Sequence, residues 1–116
     1  MARAFKAVAL AIAQVADEKK AEKVVVLDVR KSSPVADYLV IVTALSRPHL
    51  QALEDAIEEQ LEAGGMQVHH RSRPKTDQWR VIDYGGVLVH LMQAEARELY
   101  ALERLNDGAK EVPWQS

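Results

Sequence analysis

Gly85-Gly86 lies between two short apolar runs, 79–84 and 87–92, and this is the feature that most restricts what the chain can become. Paired glycines tolerate the positive φ of tight hairpin loops, so the stretch WRVIDYGGVLVHLM predicts an antiparallel ribbon closed by two residues. With those glycines as the loop, Tyr84 faces Val87, Asp83 faces Leu88, Ile82 faces Val89 and Val81 faces His90. Side chains alternate across a strand, so the ribbon has two distinct faces. One carries Arg80, Ile82, Tyr84, Val87, Val89 and Leu91 and reads as core-facing. The other carries Trp79, Val81, Asp83, Leu88, His90 and Met92, with Asp83 and His90 on a cross-strand diagonal where each satisfies the other.

The remaining elements follow from period and punctuation. Residues 4–20 predict a helix covering one face of a sheet, with Val8, Ile12 and Val15 at helical spacing. Residues 24–30 and 38–43 are β-branched runs with too little alternation for half-exposed strands, and such strands are covered on both faces. Ser46 caps a helix with Pro48 in its first turn, Leu50, Leu53, Ile57 and Leu61 as its buried stripe, and Gly64-Gly65 as its αL stop. Glu54, Asp55, Glu58, Glu59 and Glu62 make a solvated acidic outer face. Residues 66–71 predict an edge strand, followed by a basic loop from Arg71 to Lys75. A last helix spans Glu95 to Leu105, with Ala96, Leu99, Leu102 and Leu105 inward, and Asn106-Asp107-Gly108 ends it. The expected architecture is α/β, a single domain over residues 1–106 with a mixed five-stranded sheet, and a tail over 107–116 containing Trp114. A helix between the second and third strands allows a parallel crossover.

Composition narrows function mainly by exclusion. A chain of 116 residues is long enough for one real core. A formal net charge of −2 supplies no bulk attraction to nucleic acid or anionic membrane. With no cysteine there is no disulfide framework, thiolate metal site or cysteine nucleophile. No apolar run approaches the roughly 18 residues of a membrane span. The N-terminal stretch lacks a convincing cleavage site, so the expected location is cytoplasmic.

Three chemistries compete on these residues. Asp83 and His90 are the residue types of an acid–base pair, the basis of a nucleotidyltransferase-like or hydrolytic enzyme, but the hairpin face offers no nucleophile and Gly64-Gly65 ends a helix instead of opening one. His69 and His70 point to opposite faces of a strand, so no metal site is expected, nor any cofactor. Arg71, Arg73 and Lys75 suit auxiliary contact with RNA, though without an aromatic platform. A protein-binding face fits best: Trp, Tyr and Arg are enriched at interface hot spots.

Over residues 5–106 the chain resembles the Iojap family, also called ribosomal silencing factors. The resemblance rests on KAEKVVVLDVR (20–30), ADYLVIVTALS (36–46), the WRVIDYGGVLVHLM hairpin (79–92) and EARELYALERL (95–105). It implies a fold related to nucleotidyltransferases without their activity, in keeping with the missing Gly-Ser element and Asp-x-Asp pair. It also implies binding to ribosomal protein fourteen of the large subunit, where the small subunit docks, so that subunit joining is blocked and translation repressed. Organellar members resemble assembly factors for the large subunit, the alternative role, and the family suggests a homodimer. Carried over by motif, the partner-binding residues are Trp79, Asp83, Tyr84, His90, Arg97, Tyr100, Leu102, Glu103 and Leu105. Tyr84 is turned toward the core by the hairpin pairing. Two positions depart from the family: Gly86 replaces a usual acidic residue and Asn106 a usual Trp, which shifts attention to Trp114 as an anchor.

Overall fold

The structure, a computed structural model, describes residues 5–72, 76–106 and 108–115. Its elements are α1 (Phe5–Glu18), β1 (Glu22–Asp28), β2 (Tyr38–Ala44), α2 (Arg47–Ala63), β3 (His70–Ser72), β4 (Trp79–Asp83), β5 (Val87–Gln93), α3 (Ala94–Tyr100), α4 (Leu102–Leu105) and β6 (Lys110–Glu111). The sheet is mixed and six-stranded, in the order β3-β4-β5-β2-β1-β6. The expected α/β class and mixed sheet stand. The count is six because residues 110–111, expected within a tail, pair with Leu27 and Asp28 at the sheet's edge.

Parallel pairing joins β2 to β5, Tyr38 opposite Val87 through Ala44 opposite Gln93. The strand that follows α2 is instead a three-residue edge piece, and residues 66–69 do not join it as strand. β2 is buried along its whole length, as its β-branched run requires of a central strand covered on both faces.

The hairpin forms in the expected register: Asp83 opposite Leu88, Ile82 opposite Val89, Val81 opposite His90. Its two glycines serve different ends. Gly85 has φ +94, the positive value only glycine adopts cheaply. Gly86 does not need that freedom. A Cβ there would run into the Phe5 ring, so any side chain would force α1 to shift and glycine fits the close approach.

Each face of the sheet has its own core. On one, Val26, Val40, Val42, Ile82, Tyr84, Val87, Val89 and Leu91 meet Ile12 of α1 and Leu50, Leu53 and Ile57 of α2. On the other, Leu27, Leu39, Ile41 and Met92 meet Ala96 of α3, with Trp79, Leu88 and Leu102 packed at the margin.

α2 begins as predicted, the Ser46 hydroxyl oxygen accepting from the His49 N–H at 3.1 Å. At its end the positive φ, +89°, falls on Gly65, and the Met66 N–H reaches back to the Leu61 carbonyl. The acidic outer face is only partly solvated. Glu54 is buried and receives the Arg80 guanidinium at 3.0 Å, while Arg71 lies against Glu58 at 2.6 Å. These pairs tie α2 to β3 and β4. They also engage Arg71, the one cation of the expected basic loop inside the described residues; Arg73 and Lys75 lie outside them.

Trp114 is fixed on the side of the sheet where α1 packs. Its ring rests on the first core, its indole N–H donates to the Val24 carbonyl at 3.0 Å, and its own carbonyl accepts from Gln14. The opposite face carries Trp79, so Trp114 fastens the chain end and stands away from the hairpin's open side.

Candidate functional site

The side of the hairpin facing away from α1 and α2 carries Trp79, Val81, Asp83, Leu88, His90 and Met92, set there by strand alternation. Trp79 and His90 are diagonal neighbours across the ribbon, a spacing within reach of aromatic side chains. The Trp79 indole N–H donates to His90 Nδ1 at 3.1 Å, with ring centroids 5.9 Å apart. From α3 the Tyr100 ring closes on the indole at 4.7 Å, tilted by 40°. Two rings, from β5 and α3, thus meet the indole of β4.

The expected Asp83–His90 pair does not form. Asp83 Oδ1 instead accepts the Gly85 N–H at 2.7 Å, because a carboxylate two residues ahead of a tight loop is held by the turn's own backbone. His90 is 8% exposed, and burial pulls its imidazole down to about 4, so it is neutral at ordinary pH. Accepting at Nδ1 places its proton on Nε2. No carboxylate orients it, so the geometry of an acid–base dyad is missing.

Arg97 and Glu103 face each other and brace the fold. Arg97 is 7% exposed; its Nη1 donates to the Lys23 carbonyl at 2.6 Å and the Thr43 hydroxyl at 2.9 Å, and its Nη2 to Glu103 at 2.9 Å. The Lys23 carbonyl is available because β1 carries an extra residue between Glu22 and Val25, with Lys23 at φ +48. Burial raises the Glu103 carboxyl, but hydrogen bonding and charge from Arg97 outweigh it and hold the group below its ordinary value. Tyr84 is buried on the α1–α2 face with its hydroxyl unpaired, and burial pushes the phenol up.

The last helix is not continuous. Ala101 adopts φ +45 and splits the predicted 95–105 helix into α3 and α4. With Arg97 drawn inward, α3 buries Ala96 and Arg97 and leaves Leu99 76% and Tyr100 37% exposed. Leu99 was expected inward, since a stripe through 96, 99 and 102 fits an unbroken helix; the helix is rotated and cut short instead. Its exposure is the feature of this surface that spacing hid, and nothing in the local sequence signals it, because the inward turn of Arg97 answers to the Lys23 carbonyl. Leu102 packs at the margin of the second core, and the Leu105 side chain lies outside the described residues.

The exposed or half-buried residues here include Trp79, Val81, Leu88, Leu99, Tyr100 and Leu102, with Asp83 at the loop end. Such a surface buries apolar area against a partner and offers aromatic anchors. Among the described residues no three or more His, Asp or Glu side chains are grouped to hold a metal ion, and no helix is long and apolar enough to cross a membrane.

Residues 2–116 match the family described as "Ribosomal silencing factor during starvation". The chain is similar to the ribosomal silencing factor of Treponema pallidum, 39% identical over 101 residues, covering 84% of this chain and 87% of that one. It is 34% identical to the ribosomal silencing factor of Haemophilus influenzae over 89 residues, 77% of this chain and 87% of that one. A crystal structure of a protein from Chromobacterium violaceum superposes with a TM-score of 0.83 at 20% identity, covering 89% and 86% of the two chains; that likeness concerns the fold.

Proposed function

We propose a function from this premise: the chain belongs to the ribosomal silencing factor family. The protein binds the large ribosomal subunit through ribosomal protein fourteen, on the face where the small subunit docks. Occupying that site blocks subunit joining and represses translation by steric exclusion, without turnover and without a cofactor. It does so in the cytoplasm, and a homodimer belongs to the same reading.

The observation that carries this reading is the open side of the hairpin. Leu99 and Tyr100 stay exposed beside half-buried Trp79 and Leu88, on the face that α1 and α2 leave uncovered. The site residues are Trp79, Leu88, Leu99, Tyr100 and Asp83. Arg97, Glu103 and Tyr84 support them from inside.

Sucrose-gradient profiles of purified subunits test it. With the protein present, free subunits should accumulate at the expense of joined ribosomes, and the protein should sediment with the large subunit. An unchanged profile at saturating protein would remove the reading.

A further inference from the structure

We propose that His90 is a positioning residue for Trp79: its Nδ1 takes up the only polar atom of the indole and fixes the ring as an apolar anchor. The functional half of this proposal rests on the docking role given above; the structural half stands without it.

An indole has a single hydrogen-bond donor and no acceptor. Tryptophans at interfaces commonly present an apolar body and use that N–H toward a partner. Here the N–H is already spent inside the protein, at 3.1 Å from His90 Nδ1. The imidazole is almost fully buried beneath the indole, so it has little surface of its own to offer a partner. The Tyr100 ring closes the other approach at 4.7 Å. Trp79 is thus held by a bond from β5 and a ring from α3, and a side chain pinned before binding loses less rotamer freedom on binding. What reaches a partner is the ring's apolar surface, with Tyr100 against it and Leu88 on the same face of the ribbon. The partner patch that fits is apolar or aromatic, with no acceptor placed for the indole N–H.

The motif alone makes His90 a contact residue. The geometry makes it a residue that acts through Trp79, and the two roles separate experimentally. His90→Leu keeps similar volume and removes the acceptor, whereas His90→Asn keeps an oxygen close to where Nδ1 stands. The spectroscopic readout is the 15N–1H signal of the Trp79 indole and its hydrogen-exchange rate, with Trp114→Phe assigning the other indole. The binding readout is co-sedimentation with purified large subunits.

Exchange at the Trp79 indole should quicken at least fivefold in His90→Leu, the worth of one net hydrogen bond, and subunit affinity should fall by about the same factor. His90→Asn should return both toward the wild-type values. If the leucine variant does not fold, His90→Phe takes its place, because it keeps a planar ring of similar size and has no acceptor. Unchanged exchange in the acceptor-less variant would overturn the lock. Quickened exchange with unchanged affinity would overturn the positioning role. Wild-type protein that fails to bind subunits would bring down the docking role instead, and the exchange data would still decide the lock.

Discussion

The guanidinium of Arg97 reaches the carbonyl oxygen of Lys23 at 2.6 Å, joining residues 74 positions apart in sequence. Neither residue is in its ordinary setting: the arginine is buried, and the lysine sits at φ +48 in a bulged strand. With Arg97 held inward, Leu99 two residues on along α3 is left 76% exposed.

Arg97→Ala should therefore destabilise the protein by about 3 kcal/mol, since it leaves Glu103, Thr43 and a backbone carbonyl without their partner. Urea denaturation reads this as a lower midpoint with little change in slope. Arg97→Lys should recover only part of the loss, because an ammonium cannot span the three acceptors as the planar fork does.

Gly86→Ala should cost roughly 1–3 kcal/mol, because the new methyl meets the Phe5 ring and α1 must shift. Thermal unfolding would show a fall of several degrees for a domain of this size. Phe5→Ala made in the same chain should cancel much of the added cost, giving a clear coupling in a double-mutant cycle. Equal losses with and without Phe5 would show that the ring is not the obstacle.

Stability should decline as the pH falls from about 6.5 toward 4. The imidazole of an unfolded chain titrates near 6.5, whereas burial pulls that of folded His90 down to about 4. Between these values the unfolded chain holds more protons, so acid favours unfolding. The contribution is complete above about 6.5 and is lost on the way to 4, amounting to about 3 kcal/mol. Denaturation midpoints across this window should flatten in His90→Asn. An equally steep decline in that variant would assign the effect to other groups.

Docking should follow the apolar surface. Trp79→Ala should weaken large-subunit binding by ~2 kcal/mol or more, roughly thirtyfold, with the fold retained by circular dichroism. Leu99→Asp should also weaken it while leaving stability within about 0.5 kcal/mol, because the side chain is 76% exposed. Binding should vary little with salt, in contrast to the steep dependence of phosphate recognition. Full binding by the Trp79→Ala variant would place the contact elsewhere on the protein.

The sequence alone determined what depends on neighbours in the chain. Alternation and the Gly85-Gly86 loop fixed the hairpin register to the residue, and Ser46 with Pro48 fixed the start of α2, because these are local backbone preferences. The same alternation put Trp79 and His90 on one face and Tyr84 on the other. Tertiary structure alone decided which groups pair once those faces form. His90 meets Trp79 and not Asp83, because the loop's own N–H claims the carboxylate first. Arg97 turns inward to a carbonyl and residues 110–111 pair with a strand, both far away in sequence, and between them Ala101 breaks the helix. A period along the chain carries no record of such distant partners, since a buried donor takes whichever acceptor the packed fold brings within reach.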